Sequence, residues 1–178
     1  MMLHNYKMEQ SNKLYGYGTD GEKDHGWGCS YRSAQNIMSH NNFTPVPSLK
    51  IIVKLANREW GSWAEPADFM GIFGSRATTL AAGISGRLFQ YTKESQYLEK
   101  MGLEVLYEKI INGCKEGKSY MIDDGNYAYA VVSSEGQAKL IDPHVNEEVG
   151  KVLQAVVLKE ELILSKKGWM VLEVNQND

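Results

Sequence analysis

The spacing of apolar residues changes character near residue 118, from a helical repeat before it to short β-prone runs after it. Tyr31, Ala34, Ile37 and Met38 recur at three- and four-residue intervals and predict a helix over 30–39, closed by Asn41-Asn42 and Pro45. Ser48 is a good N-cap for a second helix, with Leu49, Ile52, Val53 and Ala56 on one side. Glu65-Pro66-Ala67-Asp68 reads as a third helix start, with proline in the first turn and two acids at the positive dipole end; Gly74 closes it. Residues 87–91 suit a short strand. Leu103, Leu106, Tyr107, Ile110 and Cys114 then return to helical spacing, with Gly113 and Gly117 marking the end. Beyond it, residues 120–122, 128–133 and 139–141 are short apolar runs, with Gly125 and Glu135-Gly136 between them. Residues 152–158 and 169–174 are further strand candidates, separated by a helical turn over 160–165. Helices first and then an antiparallel sheet make an α+β plan, the N-terminal helices packed on the sheet.

Composition narrows this picture without redirecting it. The chain has 178 residues, enough for one domain with its own core, so a single domain over 1–178 is expected, with 1–13 as a flexible N-terminal segment. Net charge is −3 and no dense basic block occurs, so the electrostatic footprint of a nucleic-acid binder is missing. No apolar run approaches the roughly 18 residues of a membrane span. Residues 1–10 lack the apolar middle of a signal peptide. The expectation is a cytoplasmic monomer. The two cysteines, Cys29 and Cys114, are too few for a disulfide framework and lack zinc spacing, so no metal and no cofactor is expected.

Candidate chemistry gathers around Cys29. The stretch Tyr15-Gly16-Tyr17-Gly18-Thr19-Asp20-Gly21 runs on to Gly26 and Gly28, and glycine this frequent prevents regular structure. Cys29 stands between that loop and the first turn of the first predicted helix. Unsatisfied N–H groups at a helix start favour thiolate over thiol, and thiolate is the nucleophile. Gly28 leaves room for a substrate backbone beside the sulfur. Cys114 lies in the apolar stripe of a helix and reads as an inert core residue.

A nucleophilic cysteine needs a general base that is itself oriented by a third group. His4 lies in the N-terminal segment, His25 on the glycine-rich approach and His40 on the polar end of a helix. His144 follows a strand, in Asp142-Pro143-His144. Proline fixes its own φ and biases Asp142 toward an extended shape, and residues two apart at a strand end project to the same side. The Asp142 carboxylate can then reach the imidazole and set its tautomer. For a developing oxyanion, the Cys29 N–H is one donor, and the Tyr17 phenol, twelve residues upstream, is a candidate second. A merely structural role for Tyr15 and Tyr17, covering the core edge, fits composition equally well.

Tyr17-Gly18 and then Gly26-Trp27-Gly28-Cys29-Ser30-Tyr31-Arg32-Ser33-Ala34-Gln35 resemble the catalytic segment of the ubiquitin-fold-modifier-specific proteases, Gly-Trp-Gly-Cys-x-Tyr-Arg-x-x-Gln preceded by a tyrosine and an acidic loop. Leu140-Ile141-Asp142-Pro143-His144 is similar to their Asp-Pro-His segment. The autophagins, cysteine peptidases that process autophagy modifiers, share both elements. The short tyrosine-to-cysteine interval, the Tyr-Arg after the cysteine and the small size favour the first family. Trp60-Gly61-Ser62-Trp63 and the helix from Pro66 resemble its middle region loosely, so the likeness spans residues 14–174 with strong motifs at two places.

The resemblance implies a papain-like fold, Cys29 as nucleophile, His144 as general base and acid, Asp142 as orienting carboxylate and Tyr17 as oxyanion donor. It also implies hydrolysis just after the C-terminal glycine of a ubiquitin-like protein, in maturation or deconjugation. Gly26, Trp27 and Gly28 would line the narrow groove such a tail threads. The expectation is a short form, without the additional N-terminal domain of longer members. Asp123-Asp124-Gly125 departs from the family, standing where a glycine-rich element is expected. Other readings stay open: autophagin-type processing, acyl transfer from the same thioester, or a silent module that binds a ubiquitin-like tail.

Overall fold

The computed structural model describes residues 12–42, 45–60, 86–92, 102–145 and 152–175. After a 3₁₀ turn at Thr19–Gly21 come α1 (Cys29–His40) and α2 (Leu49–Trp60). They are followed by β1 (Gly86–Thr92), α3 (Leu103–Lys115), β2 (Ser119–Asp123), β3 (Ala128–Ser134) and β4 (Gln137–Ile141), then β5 (Ala155–Val157), α4 (Glu160–Leu164) and β6 (Gly168–Val174). The strands form one antiparallel sheet in the order β1-β6-β2-β3-β4-β5. This is the α+β plan, and the strands predicted over 87–91, 120–122, 128–133, 139–141 and 169–174 all lie in it. The helix start at Glu65-Pro66-Ala67-Asp68, its end at Gly74 and residues 1–11 lie outside the described residues.

Period-two alternation sorts the strand residues onto two faces. Met121, Ala130, Val132, Leu172 and Val174 pack with Tyr31, Ala34, Ile37 and Met38 of α1 and with Leu49 and Ile52 of α2. Their strand neighbours Tyr120, Ile122, Val131, Val171 and Trp169 pack with Leu103, Leu106, Ile110 and Cys114 of α3, and with Ile163 of α4. Helices therefore cover both faces of the sheet, where the N-terminal ones alone are expected from sequence. Periodicity shows that α3 is amphipathic but not which face of a sheet it will meet. Burial on both faces also explains why the middle of β2, residues 120–122, and most of β3 read as unbroken apolar runs.

Two differences in detail have local causes. Gly113 does not end α3; a Cβ there would collide with the Tyr120 hydroxyl, so its bareness makes room for Tyr120. The helix ends two residues later in a Schellman turn, with Gly117 at φ 86° and Lys118 N–H donating to the Gly113 carbonyl at 2.9 Å. The strand expected over 152–158 is only Ala155–Val157, because pairing with β4 covers those three residues and Val152 is exposed.

Candidate active site

α1 begins at Cys29 itself, with Gly28 as its N-cap and the first helical hydrogen bond from Arg32 N–H to the Gly28 carbonyl at 2.9 Å. Cys29 is 3% exposed, so the candidate nucleophile is buried. The loop ahead of it is held by the Asp24 carbonyl, which accepts from Trp27 N–H at 3.2 Å and Gly28 N–H at 2.9 Å. Gly26 has φ 87° and open space beside it, so glycine is required there by the backbone. At Gly28 the reason is different: a Cβ would collide with Asp24 Oδ2. The bareness read from sequence as room for substrate is already demanded by a buried carboxylate. Trp27 is half-buried, packs on the α1–sheet core and meets Tyr31 edge-on at 6.1 Å between ring centroids.

His144 follows the end of β4. Asp142 Oδ1 accepts from the His144 backbone N–H at 3.0 Å and lies 2.6 Å from imidazole Nδ1. With Nδ1–H donating a hydrogen bond to the carboxylate, Nε2 of the neutral imidazole is left to accept a proton. Nε2 is buried and makes no regular hydrogen bond among the described residues, yet Cys29 is close enough to interact with the imidazole. A loose nucleophile–base contact of this kind is ordinary without substrate. Burial opposes charging the imidazole, but the hydrogen bond to Asp142, the Cys29 sulfur and the charges of both outweigh it, and His144 is pushed up to about 9.

Tyr17 joins the two halves. Its backbone N–H donates to the Pro143 carbonyl at 2.8 Å, and its ring meets His144 edge-on at 5.3 Å between centroids. Burial first, and then the charge of Cys29 and a hydrogen bond with it, push the phenol up, so its O–H remains a donor beside the sulfur. The structure thus brings Cys29, His144, Asp142 and Tyr17 together from three separate stretches of sequence.

Sequence reasoning missed two further tyrosines. Tyr127 and Tyr129 meet the His144 ring edge-on at 4.8 Å and 5.4 Å, which with Tyr17 puts three phenol rings around one imidazole. Their signal was the Tyr-Ala-Tyr spacing at the start of β3. Because Ala130 pairs with Ile141, continuing the register sets Tyr129 opposite Asp142 and Tyr127 opposite His144. Asp124 secures the hairpin that carries Tyr127, accepting from Asn126 and Tyr127 N–H at 2.8 Å each and pairing with Lys166 at 3.0 Å. Asp123-Asp124-Gly125 therefore builds a turn by side-chain bonds where glycines are expected.

The remaining candidates lie at the edge of this centre or away from it. His25 is exposed and touches the Tyr17 ring at 5.3 Å between centroids. His40 lies at the far end of α1, its imidazole lowered by burial and bound to the Asn36 carbonyl at 2.9 Å. Cys114 is fully buried, and burial pushes its thiol up to about 12. Among the described residues no group of three His, Cys, Asp or Glu could hold a metal ion, and no helix is long and apolar enough to cross a membrane.

With this geometry in place, the chain is similar to the crystal structure of UfSP from C. elegans, with a TM-score of 0.53 at 19% identity. The match covers 94% of this chain and 33% of that one, so the chain spans about a third of that structure's length. The fold is papain-like α+β. No protein-family model matches the chain, and no curated protein matches it.

Proposed function

We propose that the chain is a cysteine peptidase that cleaves after the C-terminal glycine of a ubiquitin-like modifier. The observation that carries this reading is the meeting of Cys29, His144, Asp142 and Tyr17 at one point, with the Asp142 carboxylate 2.6 Å from the imidazole. The papain-like fold shared with UfSP and the two motif resemblances support the substrate class.

In this mechanism the Cys29 sulfur attacks the scissile carbonyl carbon and the C–N bond breaks. The imidazolium of His144 gives its proton to the leaving amine, and the acyl group stays on sulfur as a thioester. A water then gives one proton to His144 Nε2 and attacks the thioester carbon; the C–S bond breaks, the sulfur leaves as thiolate beside the imidazolium, and the product acid loses its other proton to solvent as the carboxylate. Asp142 keeps the imidazole in the tautomer and orientation that both steps use. The Tyr17 O–H and the Cys29 N–H stabilise the oxyanion in each step. Gly26, Trp27 and Gly28 would border the entering tail.

The test is a panel of ubiquitin-like proteins carrying cysteine-trapping C-terminal warheads. One modifier should form a covalent adduct with wild type and none with Cys29→Ala. Adducts that persist in Cys29→Ala, or none with any modifier, overturn the reading.

A further inference from the structure

The Tyr-Arg-x-x-Gln stretch after the nucleophile has no part in the chemistry above, yet it makes the most completely buried charged contact of the described residues. The Arg32 and Asp24 side chains are both 0% exposed. Arg32 Nε donates to Asp24 Oδ2 at 2.8 Å and Nη2 to Oδ1 at 3.2 Å, a two-pronged pair. Two more guanidinium donors reach the Thr19 carbonyl at 3.0 Å and Gln35 Oε1 at 3.1 Å, and Gln35 in turn donates to the Pro47 carbonyl at 2.9 Å. A buried ion pair recovers little net stability, because desolvating two charges offsets their attraction. What this one supplies is geometry.

The geometry is specific. Asp24 Oδ1 also accepts from Gly18 N–H at 2.9 Å, in the residue that follows Tyr17. Arg32 sits on the first turn of α1, whose first residue is Cys29. Asp24's own carbonyl holds the N–H of Gly28, and its Oδ2 fills the space a Gly28 side chain would take. One residue therefore touches the segment that bears the Tyr17 phenol, the helix that bears the Cys29 sulfur and the turn between them. We propose that Asp24, clamped by Arg32, is a positioning residue that fixes the Tyr17 hydroxyl against the Cys29 sulfur and acts on the reaction through Tyr17. This rests on the reading of Cys29 as nucleophile and Tyr17 as oxyanion donor.

A double-mutant cycle tests it with p-nitrophenyl acetate, an activated ester that acylates a nucleophilic thiol through an oxyanion but needs no modifier. Wild type, Asp24→Asn, Tyr17→Phe and the double variant are compared, with Cys29→Ala as blank and thermal unfolding as a check on folding. Asp24→Asn should lower the acylation rate constant about 10- to 100-fold with KM within about twofold. The double variant should be no more than about threefold slower than Tyr17→Phe, because the two losses are one loss. Alkylation of Cys29 by iodoacetamide, which forms no oxyanion, should change less than about threefold in Asp24→Asn. Losses that multiply in the double variant, or an equal loss in alkylation, overturn the proposal. If Asp24→Asn does not fold, Arg32→Lys, which keeps the charge and loses the fork, takes its place. Its acylation loss must likewise vanish in the Tyr17→Phe background, and a loss that persists there overturns the proposal. Ester acylation equal in wild type and Cys29→Ala sinks the nucleophile reading instead. A wild type that acylates while no modifier is trapped sinks only the substrate class.

Discussion

The backbone N–H of Tyr17 donates to the carbonyl of Pro143 at 2.8 Å, which ties the loop ahead of the nucleophile directly to the loop that carries the base. Acid–base partners brought from distant sequence positions need such a tie, because a misplacement of about 1 Å can cost a hundredfold in rate. The tie passes through a carbonyl between Asp142 and His144, so the candidate oxyanion donor and the candidate base share one backbone anchor.

Asp142→Asn should lower kcat by roughly 10³- to 10⁴-fold with little change in Tm. One oxygen, Oδ1, meets both the His144 backbone N–H and imidazole Nδ1, so an asparagine cannot serve both as the carboxylate does. Its oxygen at that place keeps the loop bond but offers the imidazole only a neutral acceptor, and its NH₂ at that place forces the ring proton onto Nε2, where the base must be empty. Kinetics on the trapped modifier's precursor, alongside thermal unfolding, check both halves. A near-normal kcat would remove Asp142 from the mechanism.

The raised pKa of His144 fixes the direction of a pH effect. A folded value of about 9 against an ordinary 6.5 means that this group's contribution to stability is fully present below about 6.5 and is lost as pH rises through about 9. Activity that needs the imidazolium should fall over the same upper limb. NMR titration of the imidazole should also find a lower pKa in Cys29→Ala than in wild type, because the sulfur is one of the groups that holds it up. Equal values in the two proteins would show that Cys29 and His144 do not interact.

Gly26→Ala and Gly28→Ala should differ in kind. At Gly26 the space is open and only φ 87° is unfavourable, so the loss is about 1 kcal/mol of stability. At Gly28 the added methyl collides with Asp24 Oδ2, and either Asp24 or the start of α1 has to move. Denaturant unfolding should show the larger loss at Gly28, with activity falling further than stability explains. Equal losses at the two sites would argue against a fixed Asp24.

Tyr127 is 49% exposed although its ring lies 4.8 Å from the imidazole. Tyr127→Ala should therefore change stability by less than about 1 kcal/mol while raising KM for the modifier several-fold, since an exposed ring beside the base is placed to meet an entering tail. Unchanged KM with unchanged kcat would return Tyr127 to a surface role.

Much of this is legible in the sequence. α1 and the central strands follow from apolar spacing, and Cys29, Asp142, His144 and Tyr17 stand out because their residue types match a known chemical need. What stayed hidden depends on register or on contacts across the chain. Tyr127 and Tyr129 become neighbours of His144 only once Ala130 is paired with Ile141. Asp24 reads as one more acid in a polar loop until Arg32 folds over it. Gly28 reads in sequence as room for a substrate backbone and Gly113 as a helix end, yet each is bare to admit one particular side chain from elsewhere. Burial on both sheet faces could not be read because an amphipathic helix does not name its partner.

Cys114 has a practical consequence that its lack of chemistry makes possible. A thiol with no exposed surface, raised to about 12 by burial, is beyond the reach of labelling reagents while the core around it is closed. It becomes reactive only when α3 lifts from the sheet, so at saturating reagent the rate of its modification counts opening events of the intact protein. In Cys29→Ala it is the chain's sole thiol. The core then carries its own clock, and the opening rate of the α3 side of the sheet can be timed without adding a probe.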